Sequence, residues 1–368
     1  MAGRAVSGNS APPLISIAIP NFNYAAYLPT TVSSVLTQQG VPFEIVIADN
    51  ASTDQSVELV RAMDDPRVRI VENRCNVGFA SNIDRAVGPT TGAYTIVLSS
   101  DDVMNPGALA QYARLVQHLD VSSGPIIVSS SVAVIDGEGK RTGRLGPHGS
   151  IWRDSDRDSA LSDLMGVPVL SIDSSELLRR SILSMKNPLN FASTLFPRSV
   201  YDQLEGFGGS RLYNPDKWFY WRAFETTARV VFVDDELFSY RVHGANQAVL
   251  QRATGALKFH VDEYRTTFEV TDSMLAHAKL TRSDLVAAFL RRDIVERGFA
   301  AVAEGRRAHA RRLVHLARAS YPREARREVA VAALHAASFG GPLASVIARR
   351  FEPRFRKRAG VIDRSLWA

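Results

Sequence analysis

Two adjacent carboxylates follow an apolar, β-branched run in the first third of the chain. Asp101 and Asp102 close the segment Ser99–Asp102, directly after the run Tyr94–Leu98. Hard divalent cations such as Mg²⁺ and Mn²⁺ take one or two carboxylates together with waters and phosphate oxygens, so adjacent acids at a strand end suit a metal site. The alternative is that the two acids cap the helix that starts near Pro106.

The surrounding pattern supplies a scaffold for these acids. Short apolar runs alternate with helix-like stretches from Leu14 to about Val134, which predicts a mostly parallel sheet covered by helices, an α/β nucleotide-binding architecture. The predicted strands are Leu14–Ile19, Phe43–Ala48, Val68–Glu72, Tyr94–Leu98 and Pro125–Val134. No GxGxxG or GxxxxGK[ST] motif follows the first strand, which argues against Rossmann dinucleotide enzymes and P-loop NTPases.

Proline and capping residues predict where the helices between these strands begin. Pro29 suits a first helical turn, and Val32 and Val35 recur on one face after it. We interpret Asp54 as the cap of a helix over Gln55–Met63 and leave it out of the candidate site.

The second half of the chain has a different pattern. Gly137–Met165 is polar and rich in glycine, and we expect a long loop that covers a site. Asp234–Glu236 is interpreted as a solvated turn between two strands. Ala256–Phe351 has the apolar spacing of helices with arginine faces, and Leu343–Arg350 that of a short basic amphipathic helix. Such faces suit anionic lipid, nucleic acid or plain solvent.

Composition sets wider limits on the protein. The chain has 368 residues, of which 45% are hydrophobic, and a net charge of +6, so a sizeable core is expected. Cys75 is the single cysteine; an internal disulfide is therefore excluded and a reducing compartment, the cytoplasm, is the simplest interpretation. Residues 1–13 have no long apolar run and are interpreted as a flexible tail, not a signal peptide.

Four segments in a fixed order resemble glycosyltransferase family 2. They are Ile17–Asn23, Ile47–Asp54, Asn76–Asn82 and Leu98–Asp102. The ending Leu237–Asn246 is also similar to the family's Leu-x-x-Tyr-Arg-x-His-x-x-Asn sequence. The resemblance covers roughly residues 14–246, and it implies the GT-A fold, a Rossmann-like mixed sheet flanked by helices, and inversion of the sugar's anomeric centre.

The resemblance also assigns the donor side of the site. Asp49 matches the family acid that contacts the nucleotide base, typically a pyrimidine, through an N–H group. Phe22 stands at an aromatic position and either stacks on the base or belongs to the core, Gly78 lies beside the donor or forms a simple turn, and Arg241 binds diphosphate or braces its strand. The expected donor-binding residues are Pro20, Phe22, Asn23, Asp49, Asn76, Gly78, Asn82, Ser99, Ser100 and Arg241.

A metal site is implied by the same resemblance. Family members commonly read Asp-x-Asp-Asp where this chain has Ser99 in place of the first acid. The expected metal-site residues are Asp101, Asp102 and His243, with Asp101 as a ligand and Asp102 supporting the site. Ser99 is left with a hydroxyl hydrogen bond to the ribose. An imidazole beside carboxylate suits Mn²⁺ somewhat better than Mg²⁺, and a purely structural histidine is the alternative.

An acceptor hydroxyl must lose a proton during attack, and a carboxylate is the usual base. Tyr213–Arg222 is similar to the Glu-Asp helix start of the family and puts Asp216 at the base position, with Pro215 replacing the preceding acid. The alternative for Asp216 is a helix N-cap. Trp218 and Trp221 are interpreted as packing residues, with support of the acceptor sugar as the alternative.

These expectations describe an inverting transfer from a nucleotide sugar, UDP-sugar favoured, to a hydroxyl of a glycan, lipid-linked or secondary-metabolite acceptor, assisted by Mn²⁺ or Mg²⁺. The alternative is a nucleotide-sugar-binding protein without transfer activity, because Ser99 and Pro215 both replace family acids. No nucleic-acid module is recognised. Peripheral contact with anionic membrane is expected through the basic C-terminal helices.

The expected domain organisation has three parts. A tail, residues 1–13, precedes a GT-A domain, residues 14–250. That domain has a nucleotide-sugar-binding half, residues 14–135, and an acceptor-binding half, residues 136–250. A helical basic region, residues 251–368, follows.

Overall fold

The computed structural model describes residues 14–208, 214–244, 246 and 260–340. The chain divides into two compact units, one of Met1–Pro147, Trp152–Ser174 and Leu189–His243 and one of His148–Ile151, Ser175–Pro188 and Gly244–Ala368. The predicted tail and the predicted boundary between residues 250 and 251 lie outside the described residues. The predicted division into functional halves stays a prediction.

The first unit contains a ten-stranded mixed sheet. Its strands are β1 (Ile15–Asn21), β2 (Phe43–Asp49), β3 (Val68–Glu72), β4 (Tyr94–Val97), β5 (Val103–Met104), β6 (Ile126–Ile135), β7 (Arg141–Leu145), β8 (Val169–Asp173), β9 (Leu195–Pro197) and β10 (Arg229–Arg241). The order is β3-β2-β1-β4-β9-β6-β10-β5, with β7 paired to β6 and β8 to β10. The predicted α/β class is confirmed, and the five predicted strands match β1, β2, β3, β4 and β6 within two residues.

Burial on both faces explains why the first strands were readable from sequence. β1 runs parallel to both β2 and β4, and its side chains Ile15, Ile17 and Ile19 are fully buried in the main core together with Val32 and Val35. Central parallel strands are covered on both faces, so they appear as nearly continuous apolar runs.

Eight helices occur in the described sequence up to β10. They are α1 (Leu28–Leu36), α2 (Ser56–Arg61), α3 (Phe79–Val87), α4 (Ala108–His118), α5 (Ser159–Met165), α6 (Ser174–Ser184), α7 (Arg198–Gln203) and α8 (Pro215–Thr226). One of them, α6, belongs to the second unit from Ser175 onwards. Pro29 lies in the first turn of α1, as predicted. The helix expected over Gln55–Met63 is shorter, and its cap residue is Gln55, so the prediction that Asp54 is the cap was wrong. Asp54 lies one residue earlier, where its Oδ1 accepts from the N–H of Ser56 at 3.1 Å.

Two predictions for the second half of this unit were wrong. The segment Gly137–Met165 is not one long loop, because it contains β7, a 3₁₀ turn and α5. Asp234–Glu236 is not a turn between strands but an irregular part of the continuous strand β10. Its acids are paired across the sheet: Arg144 contacts Asp234 and Arg141 contacts Glu236.

The second unit is helical over its described C-terminal part, as expected. It contains α9 (residues 260–269), α10 (Asp272–His277), α11 (Arg282–Phe289), α12 (Arg297–Ala303), α13 (Arg307–Ser320), α14 (Pro322–Arg327) and α15 (Val329–Phe339), with a π-helical stretch at Leu290–Glu296. The predicted helix Leu343–Arg350 lies outside the described residues. Among those described, no helix has the length and apolarity needed to cross a bilayer.

A buried histidine makes the stability of this unit depend on pH. Burial, followed by the positive charges of Arg297, His309 and Arg306, lowers the pKa of His260 to about 3. The unfolded state binds this proton near pH 6.5 and the folded state does not, so the free energy of unfolding falls as pH drops from 6.5 towards 3, by about 2 kcal/mol or more. Denaturant unfolding of the wild type and of His260→Gln across this range is expected to show a smaller pH dependence in the variant. The exposed His118, changed to Gln, is the control that should leave the wild-type slope intact.

Candidate active site

Three parallel strands bring their polar ends to one edge of the sheet. β1 ends at Asn21, β2 ends at Asp49, and Ser99–Asp102 follows β4. Asn21 pairs in register with Asp49, and both flanking strands of β1 run in its direction. In open α/β sheets ligands bind outside the carboxyl ends of the strands, so this edge is the candidate site.

Asp101, in the acidic turn Ser99–Asp102, contacts His243, the last residue of the first unit. His243 Nε2 lies 3.0 Å from Asp101 Oδ2, and the two side chains are 7% and 8% exposed. The capping alternative for the acid pair is wrong, because α4 starts at Ala108 with Gly107 as its cap residue. A carboxylate oxygen and an imidazole nitrogen in contact form a two-donor set that suits a divalent cation.

Asp102 lies beneath this pair. Its Oδ1 accepts from the backbone N–H of Arg241 at 2.9 Å, and its carbonyl accepts from Thr31 Oγ1 at 2.7 Å. Burial, and then the neighbouring charge of Asp101, raise the pKa of Asp102 well above its usual range. Oδ2 has no hydrogen-bond partner among the described residues. Two crowded carboxyl groups, one with a buried oxygen left over, are an environment that a cation stabilises.

Across the described ranges, no group of three or more His, Cys, Asp or Glu side chains is placed to hold a metal. The expected set of Asp101, Asp102 and His243 is thus not assembled as a three-residue metal site. Of the three, Asp101 and His243 bring their donor atoms together, and they would suit a cation that completes its shell with water and phosphate oxygens.

Arg241 braces the acidic turn. Its Nε donates to Asp101 O at 2.8 Å, and its Nη1 donates to Asp136 O and Gly137 O, each at 3.1 Å. The residue is 5% exposed. Of the two roles considered from sequence, these contacts favour bracing the strand over binding diphosphate.

Asp49 lies in a polar pocket at the ends of β1 and β2. Its Oδ1 accepts from Asn21 Nδ2 at 2.8 Å and from Ser52 Oγ at 2.6 Å, and its Oδ2 accepts from Ser52 N at 2.9 Å. Asp49 is 3% exposed. These donors fix the carboxylate, and Oδ2 retains capacity for a further N–H group.

The loop after β1 carries the candidate stacking residue. Phe22 is 36% exposed, so the alternative of a core residue is wrong and its ring is available to a planar ligand. Asn23 has φ of 57°, and its Oδ1 accepts from Thr53 N at 2.8 Å. This bond ties the Phe22 loop to the loop that follows Asp49.

Four asparagines connect the polar pocket around Asp49 with the start of α3. Asn50 Nδ2 donates to Asn76 Oδ1 at 2.9 Å, and Asn73 Nδ2 donates to Asn82 Oδ1 at 2.8 Å. Asn82 is 2% exposed and donates to the carbonyls of Asn21 and Ala48, so its polar atoms are engaged within the protein. Asn76 is exposed and Gly78, with φ of 85°, is the cap residue of α3. Donor contact stays a prediction for these two.

Asp216 is in the first turn of α8 and is partly exposed. The cap residue is Asn214, so the N-cap alternative for Asp216 is wrong. The start of a helix stabilises a negative charge. Trp218 and Trp221 are buried, as expected of packing residues, and Lys217 Nζ lies 4.8 Å from the centre of the Trp221 ring.

The loop before α8 depends on one glycine. Gly206 has φ of +95°, and a Cβ there would lie 2.7 Å from Asp84 Oδ1, which accepts from Phe207 N at 2.8 Å. We expect Gly206→Ala to lower the free energy of unfolding by about 2 to 3 kcal/mol, since it combines an unfavourable backbone conformation with a steric clash. The matched control is Gly166→Ala, with φ of +71° but no atom within 4 Å. An equal loss of unfolding free energy in Gly206→Ala and Gly166→Ala, measured by thermal or denaturant unfolding, would contradict the role of the Asp84 contact.

Several site residues were missed from sequence. Asn21 and Ser52 hold Asp49, Thr31 holds the acidic turn, and Tyr24 and Tyr27 contact His243. Asn21 was detectable in principle, because it follows the predicted strand Leu14–Ile19 by two residues. The others act through contacts between distant segments, which one sequence does not display.

Part of the chain matches a known protein family. Residues 16–183 match the family described as Glycosyl transferase family 2. The chain contains a family 2 glycosyltransferase domain. The resemblance predicted from the ordered segments is thereby confirmed. The individual site residues stay predictions, because a family match does not test them.

Sequence relatives share parts of this glycosyltransferase domain. The succinoglycan biosynthesis protein ExoO of Rhizobium meliloti is 31% identical over 130 residues, which are 35% of this chain and 36% of the relative. The chondroitin synthase of Pasteurella multocida is 39% identical over 99 residues, 26% of this chain and 10% of the relative. The chain thus spans about a third or less of the length of these relatives.

Solved structures share the fold. S. aureus TarS 1–349 in complex with UDP-GlcNAc is 14% identical with a TM-score of 0.58, and the match covers 94% of this chain and 90% of that one. Mannosyltransferase PcManGT from Pyrobaculum calidifontis, in complex with GDP-Man and Mn²⁺, is 15% identical with a TM-score of 0.50, over 99% and 91% of the chains. At such identities the likeness shows the fold, and the expected GT-A fold with C-terminal helices is confirmed.

Proposed function

We propose that this protein is an inverting glycosyltransferase that moves a sugar from a nucleoside-diphosphate sugar, UDP-sugar favoured, to a hydroxyl of a glycan, lipid-linked or secondary-metabolite acceptor. The observation that carries the proposal is the 3.0 Å contact between Asp101 and His243 at the sheet edge that also holds Asp49. The complexes of UDP-GlcNAc and GDP-Man with proteins of the same fold support a nucleotide-sugar donor.

The chain's own residues have separate tasks in this reaction. Asp49 accepts an N–H of the base, and Phe22 stacks on it. Asp216 takes the proton of the acceptor hydroxyl, the hydroxyl oxygen attacks the anomeric carbon from the side opposite the diphosphate, and the nucleoside diphosphate leaves with the bonding electrons. Asp101 and His243 would hold Mn²⁺ or Mg²⁺, which supplies positive charge to the leaving diphosphate.

A donor screen tests the proposal directly. Thermal unfolding with UDP-, dTDP- and GDP-sugars, each with and without Mn²⁺, should give a metal-dependent rise in the melting temperature for the true donor. Radiolabelled donor and acceptor-containing extracts should then release nucleoside diphosphate above background. A metal-dependent rise without any release would favour the alternative, a nucleotide-sugar-binding protein, in which Ser99 and Pro215 in place of family acids disable transfer.

The second expected partner is anionic membrane, through the basic C-terminal region. Arg312 and Arg318 of α13 are exposed, and arginines on an amphipathic helix favour anionic headgroups. Residues 341–368 add a further basic cluster, Arg349, Arg350, Arg354, Arg356, Lys357 and Arg358. Their deletion should reduce co-sedimentation with phosphatidylglycerol vesicles and leave donor binding intact. Unchanged sedimentation would count against this partner.

A further inference from the structure

Two tyrosines from the loop between β1 and α1 contact the imidazole of His243. The Tyr24 ring meets it edge-on at a centroid distance of 5.7 Å and an interplanar angle of 73°. The Tyr27 ring lies 4.6 Å away at 36°, and the two tyrosine rings are 6.2 Å apart. The histidine that contacts Asp101 is therefore held by aromatic neighbours that precede it by more than 200 residues.

The loop that carries these rings is fixed by hydrogen bonds. Tyr24 O accepts from the N–H groups of Tyr27 and Leu28, each at 2.9 Å, which starts α1. The N–H of Ala25 donates to Asp54 Oδ2 at 2.9 Å. Asp54, expected from sequence only to cap a helix, thus anchors the loop that carries Tyr24 and Tyr27.

The remaining surroundings of the imidazole limit its movement further. A Cβ added at Gly137 would lie 3.7 Å from Tyr27 Oη and 3.8 Å from His243 Cβ, so the turn between β6 and β7 lies against both side chains. The Arg241 guanidinium carbon is 5.0 Å from the centre of the Tyr27 ring. Burial, together with the charges of Asp101 and Asp102, raises the pKa of Tyr24, which agrees with its place beside the acidic turn.

We propose that Tyr24 and Tyr27 are positioning residues that hold the His243 imidazole with Nε2 turned towards Asp101, so that a divalent cation meets a preassembled nitrogen–oxygen pair. The inference rests on the proposed function, because it needs the cation. Neighbours that fix a ligating histidine raise metal affinity, since less conformational freedom is lost on binding. Neither tyrosine needs to touch the cation or the donor.

Paired variants test this role with a direct binding measurement. The free Mn²⁺ signal in electron paramagnetic resonance, recorded with UDP present and corrected for the Mn²⁺ that UDP alone binds, gives the affinity of the folded protein with UDP for the metal. We expect Tyr27→Leu to weaken Mn²⁺ binding about 10- to 100-fold, while Tyr27→Phe, which keeps the ring, stays within about threefold of the wild type. Tyr27 lines an open cleft of about 390 Å³, so a leucine there does not disrupt the main core.

Tyr24→Leu and Tyr24→Phe form a second pair of variants. Their Mn²⁺ affinities test the positioning role if Tyr27→Leu does not fold. Wild-type Mn²⁺ affinity in both folded leucine variants would overturn the positioning role and leave the proposed function standing. Absence of Mn²⁺ binding by the wild type itself, with UDP present, would instead overturn the metal assignment and the inference together. Weaker Mn²⁺ binding in a leucine variant, with near-wild-type binding in the matching phenylalanine variant, supports the proposal.

Discussion

Asp216→Asn is expected to lower kcat by at least about 100-fold while leaving donor affinity unchanged, because general base catalysis contributes that much or more and the amide cannot accept the acceptor's proton. The substitution is nearly isosteric, and Asp216 is partly exposed in the first turn of α8, so the fold should persist. Steady-state transfer rates and donor binding by calorimetry, measured on the same preparation, separate the two effects.

The matched control for this variant is Asp272→Asn. Asp272 also lies in the first turn of a helix, α10, and its side chain is 92% exposed. Both variants lose one negative charge near a helix start, but the control should keep wild-type kcat. Full transfer activity in Asp216→Asn would remove Asp216 as the base and direct attention to another carboxylate.

Asp101→Ala has the second large expected effect, on metal-dependent donor binding. Removal of the carboxylate leaves His243 Nε2 without the oxygen that lies 3.0 Å away, and one of the two proposed protein ligands for the cation is lost. We expect donor affinity in the presence of Mn²⁺ to fall at least about 100-fold, and affinity without Mn²⁺ to change little. Calorimetric titrations with and without the metal measure the difference.

The exposed Asp120, changed to Ala, is the control for a lost surface charge. It should bind donor as the wild type does in both conditions. If Asp101→Ala and the wild type responded equally to Mn²⁺, the metal would have to be held elsewhere, and the assignment of the Asp101–His243 pair would be wrong.

The sequence predicted those parts of the fold that local patterns determine. β1, β2 and β4 are short apolar runs that are almost entirely buried, whereas β3 is a half-exposed edge strand recognised by its β-branched residues. Helices separate most of these strands, so their sequence pattern located them within two residues. β7 escaped detection because its sequence, RTGRL, has little apolar side chain to alternate. Backbone pairing with β6 places it in the sheet, and its Arg141 pairs with Glu236, 95 residues later; neither contact can be read from a local apolar pattern.

The residues of the candidate site also fall into two groups: those that a local sequence signal predicts and those that only the folded structure shows. Asp49 and Asp101 were found because acids after strand ends are a local signal, and His243 because it belongs to an ordered motif. Only the structure shows that Phe22 is exposed and that Asn214 is the cap residue of α8. The same is true of the contacts of Tyr24 with His243, since ring packing between segments this distant depends on the assembled sheet.

The family match covers a shorter stretch of the chain than the one that forms the sheet and the candidate site. Residues 16–183 carry the family match, yet β6 is hydrogen-bonded to β9 and β10, both later in the chain. A gene truncated or fused at residue 183 would pass on the family's recognisable signature but leave a central strand without those neighbours, and would also lose Asp216 and His243. If the proposed roles of these two residues hold, transfer of the proposed activity by recombination requires exchange of a piece that extends at least through His243.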